Sequence, residues 1–182
     1  MLKLNLKART WIKCFHIFFA SAWVGAAICM VLLTLAKRRP VSGDEIYAVN
    51  ASLKILDDYI IIPAALGSLL TGLLFSCFTN WGFFKFNWIT VKWFFTVASI
   101  LSGTFFLGPW NNTAVSISYT ERLFSLDNPV YLHCKLMLSI FGVLQAAVLI
   151  FLVFISVLKP WGNAKQGRRA KKGSKKRQDA SF

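Results

Sequence analysis

Four apolar runs alternate with short polar stretches along the 182 residues, at about 11–36, 59–78, 88–108 and 131–158. As helices each is long enough to cross the roughly 30 Å hydrocarbon layer of a bilayer. The first run, WIKCFHIFFASAWVGAAICMVLLTLA, carries a lysine and a histidine near its start, which lipid does not require. Lys13, His16, Ala20 and Trp23 recur at steps of three or four, so on a helix they share one flank. A polar flank on a spanning helix is expected to face other helices or a cavity, because ionisable groups are costly in hydrocarbon.

Pro40, after Lys37, Arg38 and Arg39, ends any helix running out of the first span. Ser42 and Glu45 have capping-box spacing. They predict a short amphipathic helix over about 44–56, with Ile46, Val49, Leu53 and Leu56 on one side, lying at the interface or running into the second span. Asp57 and Asp58 then suit the free amides of a helix start. The second span has Pro63 in its first turns and a flank of small residues, Ala64, Gly67, Ser68, Thr71 and Gly72, that permits close helix packing. Residues 79–87 form an aromatic turn with Lys85. The third span carries Lys92, with Ser99, Ser102 and Gly103 thinning one face, and is expected to close at Gly108-Pro109. A longer polar loop follows to Pro129, with room for a brief helix. Asn128-Pro129 reads as the start of the last helix, and Lys159-Pro160-Trp161-Gly162 as its end. No internal repeat is visible.

Composition narrows the class. Hydrophobic residues make up 56% and charged residues 15% of the chain, whereas a soluble domain is about a quarter charged. The reading is an all-α, antiparallel four-helix transmembrane bundle over 1–161, followed by a basic tail over 162–182 expected to be disordered. The net charge of +14 could suggest nucleic acid, but nine basic residues cluster between Lys159 and Arg177, beyond the last span. Such a tail is an inside-facing topology signal that touches anionic lipid. No nucleic-acid partner is expected, since no folded basic surface or aromatic interleaving accompanies it. Cys14, Cys29, Cys77 and Cys134 all lie in or beside apolar runs without a CxxC pair, which argues against a disulfide framework. The first run is also too long for a cleavable signal peptide.

With four spans both termini share a side. Fifteen basic residues fall on that side and six on the other, so both termini are expected in the cytoplasm, with Lys37 to Arg39 as a local exception. This orientation puts His16, Lys92 and Cys77 each near the inner end of its span, with Lys13 and Trp23 around them. On the plainer reading the lysines snorkel to the interface and His16 bonds across helices. On the chemical reading the five residues hold a cofactor or substrate: neutral imidazole binds haem iron, and a lysine pairs with a propionate or organises a substrate anion. His133 begins the fourth span on the outer side, roughly 20 Å or more from His16 in depth. One haem is therefore not clamped by both histidines, and His16 would need water or sulfur opposite it, or a five-coordinate iron. No His-x-x-x-His, Cys-x-x-Cys or carboxylate cluster marks another metal site. Nor does any carboxylate relay inside the spans suggest ion transport by a single copy.

Lys13-x-x-His16-Ile17 with Ala22-Trp23-Val24-Gly25 resembles the first-helix signature of an uncharacterised family of four-helix bacterial integral membrane proteins. Pro63-Ala64-x-x-Gly67-x-x-x-Thr71-Gly72-Leu73, Asn80-Trp81-Gly82, Trp88-x-x-x-Lys92 and Val157-Leu158-Lys159-Pro160 are similar to the same family, over roughly Lys7 to Trp161. More distantly, His16 and Lys92 resemble a histidine and a lysine of the bacterial membrane protoporphyrinogen oxidase, a four-helix haem protein. That likeness implies a haem-ligand role for His16 and a part in porphyrin oxidation for Lys92, although the enzyme's arginine-rich and acidic loop pattern is missing here. The copper-resistance membrane domain also looks like a relative, but its methionine-rich, multi-histidine chemistry has no counterpart among three Met and two His.

The expectation is thus a multi-pass protein of the bacterial inner membrane. Its candidate site comprises Lys13, His16, Trp23, Cys77 and Lys92, with His16 as metal ligand, Lys92 as the catalytic residue and haem b as cofactor. Two other classes stand beside it: an assembly subunit packing against a membrane-protein partner or a second copy, and an oligomeric transporter of ions or small solutes.

Overall fold

The computed structural model describes residues 5–35, 40, 42–78 and 87–158. The turn around Asn80 to Gly82, Lys85, the cluster Lys37 to Arg39 and the tail 162–182 lie outside them. The described residues form six α-helices: α1 (Leu6–Leu35), α2 (Gly43–Leu56), α3 (Ile62–Phe78), α4 (Asn87–Ser102), α5 (Gly108–Glu121) and α6 (Pro129–Leu158). A π turn at Asp57–Ile61 joins α2 to α3, and another at Gly103–Leu107 joins α4 to α5. Four continuous helical rods result, each apolar and long enough to span a membrane. The protein is an all-α, multi-pass four-helix bundle.

The two π turns overturn two expectations. Asp57 and Asp58 do not start a helix, and Gly108-Pro109 does not end one. Proline lacks an N–H and its ring collides with the carbonyl four residues back. In each rod the amide just before the proline is passed to a carbonyl five residues back: Ile62 N–H donates to Asp57 O, and Gly108 N–H donates to Gly103 O. The wider turn lets Pro63 and Pro109 sit in an unbroken rod. Residues 110–121, read as part of a polar loop with room for a brief helix, are therefore helix throughout. Asp58 instead pairs with Lys54 one turn back.

The second and third rods are 36 and 41 residues long, more than a 30 Å hydrocarbon layer needs. The surplus, α2 and α5, packs with the start of α6 around Ile46, Ala114, Tyr131, Cys134 and Leu138. Local capping fixes these ends. Ser42 Oγ accepts from Glu45 N–H at the start of α2, and Asn128 Oδ1 accepts from the amides of Val130 and Tyr131 at the start of α6, with Pro129 first in the helix.

The spanning core gathers Trp23 and Ala27 of α1, Ala64 and Ala65 of α3, and Ala146, Leu149 and Leu152 of α6. The small-residue flank works as its composition implies. At Gly67 the Phe19 ring lies so close that an added Cβ would stand 2.6 Å from a ring carbon, so α1 and α3 approach there as only a bare backbone permits. By contrast α4 packs on α6 and not closely on α1, which leaves a gap inside the bundle.

Candidate functional site

That gap is a cavity of about 810 Å³ running along α1 from Leu6 to Val24, with α3, α4 and α6 as its other walls. Its size falls in the range of small-molecule sites. Lys13, His16 and Trp23 all line it, as does Ala20, so the flank spaced at threes and fours faces one space. Lys92 lines it from α4. Two side chains from separate spans therefore share one cavity.

Cys77 does not share this position. Its side chain is exposed and is not part of the cavity wall. Ser76, one residue earlier, is buried and lines the cavity. One residue is a turn of 100° on a helix, so the correct depth came with the wrong face. His133 is exposed and also lies outside the cavity wall.

His16, Trp93 and Ser76 are tied across helix interfaces, whereas the buried Trp23 Nε1 has no hydrogen-bond partner among the described residues. His16 Nδ1 lies 2.8 Å from Thr71 Oγ1 across the α1–α3 interface. Thr71 is itself anchored to its own helix, its hydroxyl 2.7 Å from Gly67 O and 3.1 Å from Ser68 O. The edge of Phe75 meets the imidazole face with centroids 6.1 Å apart. Trp93 Nε1 donates to Ser76 Oγ at 3.0 Å, tying α4 to α3 across the cavity wall. Beside it, buried Trp88 closes the base of α4 against Ile155 of α6.

The charge in this space has one sign. Arg9 and Lys13, one turn apart on α1, and Lys92 on α4 all line the cavity, whereas no Asp or Glu among the described residues does. Among the described residues none of the three forms an ion pair. Arg9 and Lys13 are exposed near the start of α1 and Lys92 is half-buried, so the positive side of the cavity suits an anionic ligand. The walls around them are aromatic and aliphatic, so the ligand that fits is amphipathic.

The lining residues are of the types that would hold haem. His16 would supply one imidazole nitrogen, the cations would suit propionates, and Phe75, Trp88 and Trp93 would supply aromatic walls. Among the described residues no other His, and no Cys, Met or Tyr, lines the cavity, so His16 is the residue that would hold the iron. No group of three or more His, Cys, Asp or Glu capable of holding a bare metal ion occurs among the described residues.

Sequence reasoning passed over Thr71, Arg9 and Trp93 as site residues. Thr71 read as packing because it sits among small residues. Arg9 read as part of a basic lead, yet it lies four residues before Lys13 on the same helix, and that spacing carried the signal.

Compared with protein-family models, curated proteins and solved structures, the chain matches none. The likenesses to named membrane families rest on the quoted motif residues.

Proposed function

We propose that this protein binds haem within its membrane bundle, with His16 Nε2 as the one axial ligand and with Lys92, Lys13 and Arg9 holding the propionates. The observation that carries this reading is a histidine lining a cavity in which every charged group is a cation. Bound haem would supply one-electron redox chemistry or an open iron position for a small ligand. The remote likeness of His16 and Lys92 to the residues of the membrane protoporphyrinogen oxidase supports the same cofactor. It also suggests Lys92 as the group that holds an anionic substrate. The basic-residue excess on one side supports an inner-membrane orientation with both termini and this cavity towards the cytoplasm, and with the tail on anionic lipid.

Expression with adequate haem, followed by purification in detergent and a visible spectrum, tests the proposal. A Soret band that purifies with the wild type and with His133→Ala, and is lost in His16→Ala, is the expected result. A colourless wild type, or a band indifferent to His16, overturns it.

A further inference from the structure

We infer that Thr71 is a positioning residue that holds His16 as its Nδ1–H tautomer, so that the Nε2 lone pair is the part of the ring offered to the cavity. The ligand chemistry of this inference rests on the haem reading; the tautomer does not.

The assignment follows from counting protons. Thr71 has one hydroxyl proton, and its oxygen lies 2.7 Å from Gly67 O in the preceding turn. If that proton goes to the carbonyl, the hydroxyl can only accept from the imidazole, and Nδ1 must carry the hydrogen across the 2.8 Å contact. Two hydrogen bonds form in series. The alternative gives the Thr71 proton to Nδ1, forms one bond, and leaves an Nε2–H facing the cavity. Its charged neighbours there, Lys92, Lys13 and Arg9, cannot accept from it, and the acceptors that the lining offers are neutral hydroxyls such as Ser21, Thr96 and Ser156. A lone pair on Nε2 instead suits a cavity whose charged groups are cations. Both counts favour the same tautomer.

The neighbourhood keeps that ring edge open. The carbon between the two nitrogens, Cε1, lies 3.7 Å from where a Cβ on Gly72 would stand, so the bare backbone of that glycine leaves room beside the ring. A bond from the distal ring nitrogen to a fixed acceptor is how proteins orient a metal-binding histidine. Thr71 plays that part here with a neutral hydroxyl. The site is therefore set up to accept a Lewis acid or a hydrogen-bond donor at Nε2, beside an anion at Lys92.

The full-length His133→Gln variant, purified without haem and labelled with ¹⁵N-histidine, leaves one histidine to observe by NMR. Near neutral pH the expected spectrum has a protonated Nδ1 and an unprotonated Nε2, and Thr71→Ser retains it. Thr71→Val is expected to move the ring towards the Nε2–H tautomer. Hemin titration of the same proteins is expected to show affinity lowered about 10- to 100-fold by Thr71→Val and restored to within a few fold of the parent by Thr71→Ser. An Nε2–H ring or an imidazolium in the parent overturns the inference, as does a tautomer unchanged by Thr71→Val. If Thr71→Val does not fold, the parent and Thr71→Ser spectra alone decide it. An Nδ1–H ring in a protein that takes up no hemin supports the positioning role and overturns the haem reading.

Discussion

His16 on α1 and Thr71 on α3 are 55 positions apart in the chain, and their side chains meet at 2.8 Å inside the bundle. The contact joins a site residue to the small-residue flank that brings the two helices together. Packing and chemistry thus share one interface: α1 must lie close to α3 for the imidazole to reach its partner.

The closeness has a test at Gly67. A Cβ there would stand 2.6 Å from the Phe19 ring, and the atoms it meets belong to the ring body rather than to a free chain end. Gly67→Ala is expected to destabilise the protein by roughly 1–3 kcal/mol in detergent unfolding. Phe19→Ala in the same chain should recover part of the loss. An unchanged stability for Gly67→Ala would mean that the two helices separate freely.

Lys92 makes a signed prediction. It sits half-buried in the cavity wall without an ion pair among the described residues, so on the proposed reading its charge would act on a bound anion rather than on the empty bundle. Lys92→Met should leave the stability of the haem-free protein unchanged or raised. Hemin affinity should fall by about 10- to 100-fold, the equivalent of one charge-assisted hydrogen bond of roughly 1.5–3 kcal/mol. Thermal unfolding and hemin titration read the two effects separately. A loss of stability without loss of affinity would make Lys92 a structural residue.

The Trp93–Ser76 bond, at 3.0 Å, is a polar tie between α4 and α3. Interhelical hydrogen bonds in membrane proteins average about 0.6 kcal/mol. Ser76→Ala, which removes the acceptor with little change of volume, is therefore expected to cost about that much. Trp93→Phe, which removes the N–H together with part of the indole, should cost more through lost packing, and the double variant should cost less than the sum of the two. Additive losses in this cycle would show that the two groups act apart.

Beyond the span, Arg122 adopts φ 53° at the end of α5. Its guanidinium lies over the rings of Tyr47 and Tyr119, at 4.8 and 5.3 Å from their centroids, and 3.3 Å from Asp44. The cation contacts hold a backbone conformation that a side chain disfavours. Arg122→Ala loses the contacts and keeps the strain, whereas Arg122→Gly loses the contacts and relieves it. Ala is accordingly expected to be less stable than Gly at this position by about 1–3 kcal/mol on unfolding. The reverse order would contradict the strain.

How far the sequence could reach follows from particular residues. Lys13, His16 and Trp23 were legible as one surface because helical periodicity alone puts them there. Lys92 was legible by level, since alternating spans put the start of the third run beside the start of the first, and it lines the same cavity as His16. Depth says nothing about rotation, however, and Cys77 stood one residue from Ser76, which holds the inward face. The helix over 110–121 was hidden because Gly108-Pro109 reads as a stop. It continues only because a π turn, which has no residue signature, makes room for the proline. Thr71 gave no signal of its own: its importance comes from a contact across 55 positions.

The coordination of iron is the most direct test of the central claim. The reduced, haem-loaded protein should show a five-coordinate iron with a single iron–histidine stretch in its resonance Raman spectrum, and should bind carbon monoxide at the open position. In His16→Gly that stretch should vanish and return when imidazole is added. A six-coordinate iron held by two protein ligands, or an iron–histidine stretch that survives loss of His16, would contradict the account.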